Sequence, residues 1–275
     1  MIEGLDHVAV AVADLDRAAS AYGGLLGRAP DWREGAAGAR HAWFQLQNMA
    51  LDLVQPEGSG ESGDRARARI EAHGEGLWGL AFATTNLDET RRRLARRGAP
   101  SGEPAALLST DARRLAFLDP DATGGVGLAL AERERAPKAA AAGADAVFAL
   151  DHVVIQTPNP DRAVALYGAR LGLDLRLDRT NPQWGSRLIF FRCGGAVVEI
   201  GARIGGEPSH APDRLSGLAW RVADPDAARA RIAAAGFDVS EVRTGRKPGT
   251  KVFTVRSGVP GAPTLMLSAG GDDDA

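Results

Sequence analysis

The segment LDHVAVAVADLDRA (residues 5–18) returns as LDHVVIQTPNPDRA (residues 150–163). An offset of 145 carries His7 to His152, Asp16 to Asp161, Tyr22 to Tyr167, Leu26 to Leu171 and Gly27 to Gly172 without a gap. A repeat of this length constrains the fold more than any local propensity, because each copy must form the same supersecondary unit. Both copies read as an alternating apolar strand, a turn closed by Asp, and an amphipathic helix stopped by a Gly suited to the left-handed region.

A weaker form of the pattern occurs twice more, in GLWGLAFATTNLDETRRRLARRGAP (76–100) and RLSGLAWRVADPDAARARIAAAGFD (214–238), where Leu94 matches Ile232 and Gly98 matches Gly236 at an offset of 138. After each helix come β-rich runs broken by Gly, Asn and Pro, the punctuation of hairpins. The sequence therefore predicts four βαβββ modules, at 4–57, 76–132, 149–203 and 214–269. The charged and then Ala/Gly-rich stretch at 133–147 is the expected linker between a first domain (1–132) and a second (148–275). The length, 275 residues, fits two such domains.

Composition excludes several function classes. With 33 basic and 35 acidic residues the formal charge is −2, so no nucleic-acid footprint is present. Cys193 is the only cysteine, which rules out an intrachain disulfide framework or a thiolate zinc site. No apolar run approaches the length of a membrane span, and the expectation is a cytoplasmic protein with no membrane partner. No phosphate-binding loop, dinucleotide fingerprint or nucleophile elbow occurs, so no nucleotide cofactor is expected.

The four modules, the His heading a first strand, and the acidic residue in a last strand (FQLQNMALDLVQP at 44–56, with GEGLWGLAF at 74–82) resemble the vicinal oxygen chelate superfamily. That group includes glyoxalase I, methylmalonyl-CoA epimerase, extradiol dioxygenases, fosfomycin-resistance proteins and bleomycin-binding proteins. The resemblance implies an α+β fold of two cupped mixed-sheet domains in tandem, a divalent metal at the centre of a cup, and a small-molecule ligand; it leaves a homodimer open. It also implies metal ligands at the strand positions of His7, Asp52, His152 and Glu199. Modules two and four put Gly79 and Gly217, and Ala129 and Met266, at the matching positions, so a cup built from modules one and two, or three and four, holds only one His and one acid. A pairing of module one with module three would gather all four candidates. Without metal, a His–carboxylate pair facing a cup can act as a general base oriented by its acid. The bland reading is an imidazole that bonds its neighbouring Asp at a strand start.

The second domain carries more candidate contacts. His152, Glu199 and Arg187 are the expected catalytic group, as base, orienting acid and anion contact, with Trp184 as an aromatic wall, and His7 and Asp52 are expected to take the base and orienting roles in the first cup. In VRTGRKPGTKVF (242–253), Arg243, Arg246 and Lys247 surround a Gly-rich turn that is either a solvated charge run or a mouth for an anionic substrate. Trp78, one residue before an absent ligand position, is expected to contact the substrate and to fill the space a hydrated metal needs. His41, His73 and His210 are assigned to loops, with His41 able to point inward beside Trp43. The function expected is a lyase or isomerase of the glyoxalase or epimerase kind, acting on a small carbonyl or oxygen-rich, anionic substrate with a partial metal site. The alternatives are a metal-free binding protein of the bleomycin-resistance type and, third, an extradiol-type dioxygenase.

Overall fold

The computed structural model describes residues 1–106, 114–132, 139–246, 248–260 and 264–268. Lys247, part of the expected linker (133–138) and the acidic tail lie outside these residues.

The first half builds one eight-stranded sheet from β1 (Ile2–Ala11), β2 (Trp32–Ala36), β3 (Ala39–Gln45), β4 (Ala50–Pro56), β5 (Gly76–Thr84), β6 (Ala105–Ala106), β7 (Arg114–Phe117) and β8 (Gly127–Glu132), in the order β2-β3-β4-β1-β5-β8-β7-β6. The second half repeats it with β9 (Val147–Gln156), β10 (Asp174–Asn181), β11 (Ser186–Cys193), β12 (Ala196–Arg203), β13 (Arg214–Val222), β14 (Arg243–Thr244), β15 (Lys251–Val255) and β16 (Thr264–Ser268), in the order β10-β11-β12-β9-β13-β16-β15-β14. In each sheet the two first strands lie antiparallel at the centre, β1 on β5 and β9 on β13, and each pairs on its other side with its own module's last strand in parallel. Module one therefore shares a cup with module two, and module three with module four. Within the chain the pairing of module one with module three does not occur, and the four candidate ligands are split between two sheets.

The recurring Asp/Asn turn is a helix N-cap. Asp14 caps α1 (Leu15–Leu26), Asn86 caps α3 (Leu87–Arg96), Asn159 caps α4 (Pro160–Val164) and Asp224 caps α5 (Pro225–Ala234), each side chain accepting from a backbone N–H of the first turn. Gly27 and Gly172 end the first and third helical segments at φ 73° and 78°, where a Cβ would clash with the chain. α4 continues into a π-helical turn over Ala165–Arg170, a departure from the regular helix of module one.

These helices lie behind the sheets. Val8, Val10, Leu51 and Leu53 in one half, and Val153, Ile155, Val198 and Ile200 in the other, belong to a single buried cluster that runs across both domains. The domains are joined at named points: Asn48 donates to the carbonyls of Leu150 and Gly195 and accepts from Leu150 N–H, and Arg231 donates to the last carbonyls of α1, Gly24 and Leu25. Such cationic donors suit a helix C-terminus, where carbonyls lack partners.

One element has no counterpart in the sequence-based reading. α2 (Glu61–His73) follows β4 and lies over the concave face of the first sheet, burying Ser62 and Ala66 against Ala9, Ala11, Ala39 and Val54. Its charged sequence hides the contact because the buried side chains are small. Gly63 meets the backbone of Gly38 so closely that an added Cβ would lie 1.8 Å from the Gly38 carbonyl oxygen. Among the described residues no helix is long and apolar enough to cross a membrane.

Candidate functional site

The repeated Asp-His pair is a β-bulge device. In β1 the register against β5 jumps between Leu5 and His7, and in β9 the register against β13 jumps between His152 and Leu150, leaving Asp6 and Asp151 as extra residues. Neighbouring side chains of a regular strand point to opposite faces; a bulge re-aims one so that both reach the same side. Asp6 Oδ2 thus lies 2.7 Å from His7 Nδ1, and Asp151 Oδ1 lies 2.7 Å from His152 Nδ1. The bland hydrogen-bonded reading of the pair is correct, and it has a chemical consequence. A carboxylate on Nδ1 holds the proton there and leaves Nε2 as the working nitrogen.

What each Nε2 meets differs between the cups. In the second, His152 Nε2 lies 3.4 Å from Glu199 Oε2, and Arg221 Nε donates to Asp151 Oδ2 at 2.8 Å. Burial pushes the Asp151 carboxyl up, but hydrogen bonds from His152 and Arg221 and their charges more than reverse this, so it stays below the ordinary carboxylate range. A connected row Arg221–Asp151–His152–Glu199 results, with the His152 and Glu199 side chains 18% and 17% exposed on the concave face.

In the first cup Asp52 turns away from His7. Both its oxygens lie on His41 Nδ1, at 3.0 and 2.9 Å, and both residues are buried. Register explains the exchange. His41 sits opposite Val54 and Trp43 opposite Asp52, while Leu188 sits opposite Gly201 and Phe190 opposite Glu199. The position that holds His41 in the first cup thus holds Leu188 in the second, so Glu199 has no imidazole at its side and, one methylene longer than Asp, reaches His152. His41 is therefore not a loop residue but a buried strand residue; its alternation with Trp43 was the available signal. His73 and His210 are exposed.

Burial pushes the His41 imidazole down, but the charge and hydrogen bond of Asp52, the Ala36 carbonyl and the charge of Glu34 outweigh it and hold it above the usual histidine value. A raised folded value stabilises fully below the unfolded value, about 6.5, and the stabilisation fades as pH rises through the folded value. Melting temperature followed from pH 6 upward is expected to fall more steeply for the natural protein than for a His41→Leu/Asp52→Leu double variant, which replaces the buried pair by apolar volume. Parallel curves would refute the ion pair.

The cups also differ in filling. Trp78 occupies a further bulge of β5, between Leu77 and Gly79, and the matching bulge of β13 holds Ser216. In the first cup Trp43 stacks on Trp32 at 4.9 Å and lies 5.0 Å from the His7 ring, with Leu115 and Ala131 closing the cluster. Beneath α2 this leaves a cavity of about 20 Å³ lined by His7, His41, Asp52, Ser62 and Trp78 among small apolar groups. Trp78 lies against Phe117 and lines this cavity. The second cup has no covering helix among the described residues, and Val154, Val197, Leu188, Phe190 and Leu265 line its floor half-buried.

Trp184 is 51% exposed and carries the Arg246 guanidinium over its ring at 4.1 Å. Trp184 precedes β11 and Arg246 precedes β15, so this contact brings opposite arms of the curled sheet together at the rim. Arg243 is exposed on the edge strand β14. Arg187 does not face the cup: it shares the side of Ile189 and Phe191, toward the helices, where Asp178 and Asp161 both bind it at 2.7 and 2.9 Å. The period of two places it opposite to Glu199, and its role as an anion contact is corrected. Met266 is likewise in the core, with Leu265 and Leu267 on the concave side.

Among the described residues no three His, Cys, Asp or Glu side chains are gathered closely enough to hold a metal ion. His152 and Glu199 alone fall short of the three protein ligands a catalytic metal uses.

A sequence profile described as the Glyoxalase/Bleomycin resistance protein/Dioxygenase superfamily matches residues 6–117 and 151–254. Among solved structures, a variant of 4-hydroxymandelate synthase from Streptomyces coelicolor is similar at 16% identity and TM-score 0.71, covering 98% of this chain and 93% of that one. The Mn(II)-bound glyoxalase from Novosphingobium aromaticivorans is similar at 17% identity and TM-score 0.68, covering 97% and 82%. Methylmalonyl-CoA epimerase from Mycobacterium tuberculosis is 31% identical over 50% of this chain and 90% of that one, at TM-score 0.44. No curated protein matches the chain at a significant level.

Proposed function

We propose, from the premise that this chain belongs to the Glyoxalase/Bleomycin resistance protein/Dioxygenase superfamily, that its second cup binds a small carbonyl compound and moves a proton at the carbon beside the carbonyl. The observation that carries the reading is the row Arg221–Asp151–His152–Glu199 on an open concave floor. Asp151 holds the His152 proton on Nδ1, so Nε2 takes the substrate proton while the C–H electron pair passes into the enolate. Glu199, 3.4 Å away, stabilises the imidazolium that forms. Arg246 at the rim favours a substrate that carries an anionic group.

The half-buried apolar floor favours a second reading, a protein that sequesters its ligand without turnover. A dioxygenase reading needs two His and one carboxylate in one cup, and the second cup supplies one of each. Incubation in D₂O with 2-oxo acids and acyl thioesters, followed by proton NMR, separates the first two. Exchange at the α-carbon that survives EDTA and disappears in Glu199→Gln supports proton transfer by protein groups. Saturable binding by calorimetry without exchange assigns the cup to sequestration.

A further inference from the structure

The first cup holds two buried nitrogen atoms that make no hydrogen bond, Nε2 of His41 and Nε1 of Trp78, and both residues line the same cavity. Buried polar groups in folded proteins are nearly always paired, and an orphan loses its hydration without return. Trp78 reaches this place through a bulge, and its indole stacks on Phe117 at 6.1 Å, so its N–H is held by packing. His41 is 1% exposed and fixed by Asp52 at Nδ1.

We propose that the first cup is a separate ligand site, in which the Trp78 indole N–H and the His41 Nε2–H together hold the oxygen of a small carbonyl compound. An indole nitrogen only donates, and an imidazole whose Nδ1–H is committed to a carboxylate donates from Nε2 when it is paired as a cation. Two N–H donors call for an acceptor, and among the described residues no cluster of metal ligands stands here to call for a cation. Besides these two donors the polar lining of the cavity is His7, Ser62 and Asp52, whose oxygens both lie on His41 Nδ1, and one carbonyl oxygen, with two lone pairs, can accept from both donors at once. The cavity, about 20 Å³, admits one group of that size. Nothing in the second cup matches this pair, since Leu188 and Ser216 stand at the two positions.

The test uses the full chain labelled with ¹⁵N and titrated with acetamide and, separately, acetate. Saturable movement of the Trp78 indole N–H and of His41 Nε2 with one common Kd is expected. Trp78→Phe keeps the ring and removes the donor, and is expected to weaken the His41-reported affinity about tenfold. Tighter acetamide assigns the site to neutral carbonyls, and tighter acetate to carboxylates. No saturable movement with either probe, or an unchanged affinity in Trp78→Phe, leaves a trapped water as the occupant and overturns the proposal.

Discussion

Replacing His152 by glutamine is expected to lower α-carbon exchange about 10²–10⁴-fold, the usual contribution of a positioned general base. Glutamine fills similar space but cannot take a proton at the position of Nε2. The imidazole is 18% exposed and its loss removes one contact each with Asp151 and Glu199, so the melting temperature is expected to move little. Asp151→Asn is expected to show a comparable defect with the imidazole still present, because an amide no longer selects the Nδ1–H tautomer. Its pH–rate profile, and not only its rate, is expected to shift. Arg187→Gln is the control, since that guanidinium lies on the helix side with Asp178 and Asp161. A His152→Gln protein that exchanges at the natural rate would remove the proton-transfer reading altogether.

Asp213→Ala is expected to cost about 3–5 kcal/mol of unfolding free energy, the range for breaking one side of a buried ion pair. The Asp213 side chain is fully buried, and its Oδ1 accepts from Thr157 Oγ1 and Arg162 Nη2, both at 2.6 Å. Its backbone N–H donates to the Gly124 carbonyl of the first domain at 2.8 Å. Alanine leaves the Arg162 cation without its carboxylate at the place where the domains meet. Denaturant unfolding followed by circular dichroism checks the size of the effect, and Thr157→Val, which removes one hydrogen bond, is expected to cost about 1 kcal/mol. A loss for Asp213→Ala no larger than a surface ion pair gives, about 0–1 kcal/mol, would show that the junction does not depend on this carboxylate.

Much of the architecture was readable from the chain because it rests on short-range patterning. The Asp/Asn turns at residues 14, 86, 159 and 224 are N-caps, the glycines at 27 and 172 are helix stops, and each works within one turn of its own helix. The doubled Asp-His is local too, since one inserted residue suffices to bring a carboxylate to its neighbour's ring. Helix α2 escaped that reading: its buried face is made of small residues, so no apolar stripe announces it.

The partners of the working groups were decided only in three dimensions. Whether a carboxylate on β4 or β12 meets an imidazole beside it or across the sheet depends on what the neighbouring strand brings into register, His41 in one cup and Leu188 in the other. Which way Arg187 points follows from counting alternate residues through a strand whose start the sequence marks only loosely, and a one-residue slip turns every side chain over. Hydrogen bonds reach about 3 Å, far less than the spacing of these residues along the chain. The sequence by itself determined which chemical groups each module owns and how each module folds; the pairing of those groups into an open cup and a closed one arises from strand register and side-chain length.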